Sequence, residues 1–196
     1  SFGPSMQKAT VEQNPISMRL ADVAPELREA IRMMPRIPYW NPFARWLVRV
    51  TLPLLARPRR YKGLAVHKVA IPNSRTARLY LPERRRSKAA LLWIHGGGMV
   101  IGHPLQDDAR CAEIAGDLGI VVLSADYRLA PPARFPAELD DCRAAWSWLV
   151  ESAHRFGIDS AMLAIGGQSA GGGLAAALVQ RIHDEGGVQP VAQWLY

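Results

Sequence analysis

The sequence predicts an α/β protein built on a mostly parallel sheet with helices on both faces, and three observations carry that expectation. A continuous apolar run at 89–94 and a mostly apolar one at 120–125 have the length and composition of strands buried on both sides. Stretches with helical spacing of apolar residues, at 106–118 and 135–156, alternate with them, and that alternation implies parallel strands joined by crossover helices. Glycine-rich turns directly follow two of the strands, as His95-Gly96-Gly97-Gly98 and as Gly167-Gln168-Ser169-Ala170-Gly171.

The first sixty residues read as helical and proline-punctuated, which makes 1–60 an N-terminal helical cap region and 61–196 the α/β core. Pro25 suits the first turn of a helix running towards Met34, with Leu27, Ile31 and Met34 on one face; Pro35 and Pro38 break it. Asn41-Pro42 supplies a cap and a proline at the first helical position for a helix from Phe43 to about Leu52. Its stripe of Phe43, Trp46, Leu47 and Val50, with Trp40 just outside, reads as a core face. The functional alternative is a cap whose aromatic side chains line an apolar substrate pocket. Residues 65–71 and 76–81 alternate like two strands joined by a short turn containing Asn73-Ser74. After the strand at 89–94 come a helix over 106–118 closed by Gly119, the strand at 120–125, and a long amphipathic helix over 135–156. A strand at 162–165, a helix over 169–185 ended by Gly186-Gly187, and a sixth strand opening at 191 complete the order. No internal repeat or low-complexity tract interrupts it.

A chain of 196 residues, 49% hydrophobic and 21% charged, can bury a substantial core and has the composition of a soluble globular protein. Its formal charge of +7 is carried mostly by arginine between 57 and 88, around Arg59-Arg60 and Arg84-Arg85-Arg86. Such a cluster can attract nucleic acid or anionic lipid. With no aromatic residues interleaved it reads instead as a solvated rim of loops, and nucleic acid is not an expected partner. Cys111 shares a helical face with Ile114, Ala115 and Leu118, and Cys142 shares one with Leu139, Trp146 and Leu149. Both read as small buried hydrophobes in a reducing compartment, in no metal-ligand spacing. No window reaches the roughly 18 apolar residues of a membrane span, and no basic segment followed by an apolar core opens the chain. A cytoplasmic location, with no integral membrane segment, is expected.

The two glycine motifs carry the chemistry. A serine between glycines, with a strand before it and a helix after it, has the pattern of a nucleophile elbow, and three glycines after another strand have the pattern of an oxyanion loop. Gly167 and Gly171 leave room for the tight turn at Ser169, which then sits at a helix N-terminus that favours developing negative charge. The amide of Ala170, with those of Gly97 and Gly98, would bind the oxyanion; losing one such donor costs roughly 100- to 1000-fold in rate. Beside three glycines, His95 reads as a loop anchor rather than the base. A dinucleotide reading of Gly166-Gly167 fails because no Gly-x-Gly-x-x-Gly follows the first strand with an acid about 20 residues on. Nothing in the pattern asks for a metal or an organic cofactor.

The triple glycine after His95, the segment Asp126-Tyr127-Arg128-Leu129-Ala130-Pro131 and Gly167-Gln168-Ser169-Ala170-Gly171-Gly172 stand in the order found in the hormone-sensitive-lipase-like branch of the α/β-hydrolases, which includes the bacterial family IV carboxylesterases. The chain resembles that branch from about Leu64 to Tyr196. The resemblance implies an α/β-hydrolase fold and hydrolysis of carboxylic esters through an acyl-serine intermediate, and an aromatic-rich cap bounding the pocket favours small to medium acyl chains. It implies that Tyr127 and Arg128 tie loops together. Gln168 and Pro132 depart from it, since the family usually has aspartate and glutamate there. It further implies eight strands, with the catalytic acid after the seventh and the histidine after the eighth. The six strands counted here end before both, so the expectation is a truncated, inactive fragment with the last strands missing. It would associate with itself through an exposed sheet edge, or pair with a missing C-terminal segment. His183 lies about fourteen positions beyond Ser169, or roughly 21 Å along a helix. His103 and His154 precede the elbow, and Asp159 reads as a turn residue. Two alternatives stand beside the esterase: a non-catalytic small-molecule-binding protein on the same scaffold, as in the gibberellin-receptor group, and an amidase or formamidase.

Overall fold

The computed structural model describes residues 19–33, 38, 40–56, 61–72 and 74–196, and the chain divides into two units, Ser1–Ile37 and Pro38–Tyr196. Met34 and Pro35 of the expected first helix, Arg59-Arg60 and Asn73 lie outside the described residues. In the first unit, single 3-10 turns at Leu20–Asp22 and Pro25–Leu27 lead into helix α1, Arg28–Met33. Pro25 opens its turn as its fixed φ favours, and Arg28 folds back to donate to the Val23 carbonyl at 2.9 Å.

The second unit opens with α2, Pro42–Leu55, capped as expected by the Asn41 side chain, which accepts from the amides of Phe43 and Ala44. The helix runs past Leu52 through Pro53, and its last turn closes by a bond from Ala56 N to Leu52 O of 2.8 Å. The core-face expectation for its stripe is overturned: Phe43 is 67% exposed and Trp46 56%, and α2 has no buried residue. The half-buried face is Ala44, Val48, Arg49 and Leu52 instead. The reason is polar. Arg49 donates from Nε to the Val100 carbonyl at 2.8 Å and from Nη2 to the Ala130 carbonyl, and these bonds turn the aromatic stripe outward.

Six strands form one sheet in the order β1-β2-β4-β3-β5-β6. They are β1 Leu64–Ala70, β2 Thr76–Pro82, β3 Ala90–Ile94, β4 Val121–Ala125, β5 Leu163–Gly167 and β6 Ala192–Leu195. β1 and β2 form an antiparallel hairpin and β2 pairs antiparallel with β4, while β4, β3, β5 and β6 run parallel. Every residue of β3 and β4, Ser124 included, is buried, as their largely apolar composition favours. Side-chain alternation splits the core in two. Leu91 and Trp93 point to one face with Tyr80, Val122 and the Cys111, Ala112 and Ala115 side of α3, Asp108–Leu118. Leu92 and Ile94 point to the other with Leu123 and Ile165. There they meet Cys142, Trp146 and Leu149 of α4, Ala137–Glu151, and Leu174, Leu178 and Ile182 of α5, Ala170–Asp184.

Helix ends account for the remaining differences from expectation. Gly119 closes α3 at φ 61°, where a Cβ would lie 2.7 Å from the Arg86 backbone nitrogen; Leu118, one residue earlier, turns out to solvent. The long helix expected over 135–156 is α4 followed by a separate 3-10 turn, His154–Phe156, stopped by Gly157 at φ 61°. The arginine triplet is not wholly a solvated rim. Arg85 donates to the Phe156 carbonyl at 3.0 Å and Arg86 to that of Asp117 at 2.8 Å, satisfying carbonyls left open where helices end; Arg84 and Arg86 are exposed and Arg85 is half-buried.

Candidate active site

β5 delivers the chain into a tight turn, and α5 begins immediately after it. Ser169 occupies the helix-cap position with φ 53° and ψ −119°, its side chain caps nothing, and the residue is exposed. Such backbone costs a non-glycine residue on the order of 1–3 kcal/mol and persists only where the surroundings over-determine it. They do so here. Gln168 N donates to Ile94 O at 3.1 Å, Ser169 N to Tyr196 O at 2.7 Å, and Gly173 N to Ser169 O at 3.1 Å. The glycine frame has a direct steric reason. A Cβ on Gly167 would lie 2.3 Å from the Gly171 carbonyl oxygen, and one on Gly171 would lie 2.1 Å from that of Ile94.

The same closeness brings the two motifs together. β3 ends at Ile94, and the loop leaving it carries Gly96 so near the elbow that its Cβ would sit 3.5 Å from Ser169 Cβ. Gly97, at φ 125°, has no room for a side chain, because a Cβ would meet the Ile101 carbonyl oxygen at 2.1 Å. Its own carbonyl accepts from Val100 and Ile101. The loop therefore folds back on itself and leaves Gly98 exposed. Among the described residues, the amides of Gly97, Gly98 and Ala170 donate to no protein acceptor. The loop that carries Gly97 and Gly98 thus approaches the exposed Ser169 through Gly96, and Ala170 follows Ser169 at the start of α5.

His95 is fully buried, with Nδ1 2.8 Å from the Gly96 carbonyl oxygen and its ring stacked on Tyr127 at 4.2 Å. Tyr127 in turn donates its hydroxyl proton to the His95 carbonyl at 2.9 Å. Burial pushes the imidazole pKa down to about 4, so the ring is neutral near pH 7. A Cβ on Gly102 would lie 2.6 Å from His95 Nδ1, which makes Gly102 part of the same wedge. The other imidazoles and the turn acid are engaged or remote. His103 accepts the Leu105 amide at 3.1 Å, His154 opens a 3-10 turn, and His183 is in the last turn of α5. Asp159 accepts the Ala161 amide at 2.9 Å. Among the described residues none of these groups is hydrogen-bonded to Ser169, and no three His, Cys, Asp or Glu side chains converge as a metal site.

Sequence reasoning missed three buried acids that hold the loops. Asp107 accepts the Trp93 indole N–H at 2.8 Å, and burial raises its pKa. Asp108 accepts from Tyr80 at 2.8 Å, from Tyr61 at 3.1 Å and from both Nε and Nη2 of Arg78. Asp141 accepts the Arg128 backbone amide and two guanidinium nitrogens, and the Ser74 hydroxyl at 2.7 Å. Arg128 was singled out in the sequence; the acid pair Asp140-Asp141 at the start of the next helix was the available signal for its partner.

A family model described as alpha/beta hydrolase fold matches residues 91–196. An ethyl acetate hydrolase of Pseudomonas putida is 45% identical over 108 residues, covering 54% of this chain and 34% of its own length. The carboxylic ester hydrolase LipN of Mycobacterium tuberculosis is 43% identical over 124 residues, 61% of this chain and 33% of its own length. Among solved structures, a bacterial heroin esterase aligns with a TM-score of 0.80 at 35% identity, over 90% of this chain and 58% of that one. The chain spans about a third of the length of these curated relatives.

Proposed function

Since the chain belongs to the alpha/beta hydrolase fold family, we propose that it carries the nucleophile and oxyanion half of a serine carboxylesterase. The observation that supports this most is the exposed Ser169 at φ 53°, with the glycine loop after β3 brought against it at Gly96. In the proposed reaction Ser169 Oγ attacks the ester carbonyl carbon while a base takes its proton. The carbonyl oxygen becomes an oxyanion that accepts from the amides of Gly97, Gly98 and Ala170, which donate to no other acceptor among the described residues. Collapse expels the alcohol, which takes up the proton, and leaves an acyl-serine; water then repeats the sequence to release the acid. Residues 1–60 serve as the cap region and 61–196 as part of the core, with small to medium acyl chains as substrates. His95 holds the oxyanion loop and takes no proton.

An alcohol needs a base within hydrogen-bond reach, and no described side chain fills that role. The 196-residue chain by itself is therefore expected to be nearly inactive. The test compares it with the full-length gene product on p-nitrophenyl acetate. Ser169→Ala in the full-length protein should lower turnover at least a thousandfold; removing the serine of a comparable triad costs roughly a millionfold. Retention within about tenfold rules Ser169 out. Turnover on the order of 10 per second by the 196-residue chain would mean that a base has been overlooked. Saturable ester binding without turnover by the full-length product favours the binding-protein reading, and preference for anilides over esters favours an amidase or formamidase.

A further inference from the structure

The oxyanion loop presents one end to Ser169 and uses its other end, Gly102 and His103, to wall a cleft of about 540 Å³. That volume is in the range of small-molecule sites, roughly 300–1,000 Å³. None of Ser169, Ala170, Gly97 or Gly98 lines it. Its walls hold four guanidinium groups, Arg49, Arg75, Arg128 and Arg134, and a single lining carboxylate, Asp126.

The arginines are unequally answered. Arg75 pairs with Asp126 at 3.2 Å, and Arg128 pairs with the buried Asp141. Arg49 is held by two carbonyl oxygens, which fix its position without neutralising it. Both its burial and the nearby Arg45 work against its charge, an unfavourable arrangement that an anion would relieve. Arg134 is exposed; its backbone carbonyl accepts from the Ala137 amide at 3.0 Å, but among the described residues its guanidinium makes no hydrogen bond or ion pair. Pro132, where the family resemblance implies glutamate, adds no charge to this wall. Low-dielectric walls focus such a field into the cleft, and the planar guanidinium fork matches two oxygens of a carboxylate or phosphate. Leu129, Pro132, Ala133 and Ala137 supply apolar lining beside it.

We propose that this cleft binds a small organic anion, its carboxylate or phosphate group held by Arg134 together with Arg49 and Arg75 and its apolar body against Leu129 and Ala133. The site is separate in lining from the ester site and does not depend on turnover. The experiment is calorimetric titration of the 196-residue chain at low salt with phenyl phosphate and with benzoate. Saturable one-to-one binding is expected. Arg134→Glu should weaken it by on the order of tenfold or more, as loss of a charged hydrogen-bond donor does. Arg84→Glu, an equal charge change at an exposed arginine outside the cleft, should alter it by less than about twofold. The tighter of the two probes identifies the preferred head group. Absence of saturable binding to the parent chain, or equal weakening by both substitutions, overturns the proposal. Both arginines are exposed, so thermal melts of the two variants should coincide with the parent's.

Discussion

A Cβ at Gly171 would lie 2.1 Å from the Ile94 carbonyl oxygen and 2.5 Å from that of His95, and both obstacles are backbone at the end of β3. Relief would require pushing α5 away from the sheet. Gly171→Ala should therefore destabilise the fold by about 1–3 kcal/mol, as overpacking does. Gly173 sits two residues on in the same helix with nothing within 4 Å of its Cβ position, so Gly173→Ala should stabilise by roughly 0.5–1 kcal/mol. Urea midpoints of the pair measure both; a Gly171→Ala protein as stable as its parent would mean that the elbow is not clamped against β3. His95 yields a pH dependence. Its folded pKa, about 4, is below the ordinary 6.5, so between those values the unfolded chain binds more protons. Stability is then complete above about pH 6.5 and falls as pH drops towards 4, by up to roughly 3 kcal/mol. His103, also depressed by burial, acts in the same direction. Denaturant titrations between pH 7 and about pH 4.5 should show a shallower decline in His95→Asn than in the parent; equal slopes would exclude His95 as a source. At this scale Ser169 and its glycine frame were legible because an elbow's steric demand is local. Asp108 was not, because its partners Arg78 and Tyr80 are 30 and 28 residues away on β2.

Strands and helices were legible in kind and order, and less so at their ends and faces. The buried runs of β3 and β4 read directly as strands, since a strand covered on both sides needs no alternation. α4 ended earlier than its periodicity implied: it stops at Glu151, and the residues beyond form a separate 3-10 turn that Gly157, in the left-handed conformation, closes. α2 showed that an amphipathic stripe reports a face without saying what covers it; here arginine bonds to loop carbonyls decide which side turns inward. The same caution applies to β6. It pairs with β5 on one side and is the outermost strand on the other, with Trp194 43%, Leu195 52% and Tyr196 63% exposed. An edge with unpaired backbone and apolar side chains recruits another strand. The 196-residue chain is expected to self-associate at micromolar concentration, or to be covered there by a further segment of the gene product. Sedimentation velocity of this chain is the check, and a single monomeric species across that range would count against the edge as an association surface.

For the molecule as a whole, alternation of strands and helices in the sequence implied a parallel sheet, and four adjacent strands do run parallel. The strand order could not be read, because the crossover that sets β4 between β2 and β3 leaves no local signature. Yet that order makes the site: β3 and β5 are neighbours, with Ile94 in register with Gly167, so the loop after one strand meets the turn after the other. The central claim is that this junction carries a serine nucleophile, and covalent labelling tests it most directly. The full-length gene product is treated with diethyl p-nitrophenyl phosphate, which phosphorylates activated serines, and the modified peptide is located by mass spectrometry. The expected result is a single diethylphosphoryl group on Ser169, absent from the Ser169→Ala protein, with loss of ester hydrolysis in proportion to labelling. Stoichiometric labelling at another residue, or undiminished hydrolysis by the Ser169→Ala protein, would contradict it.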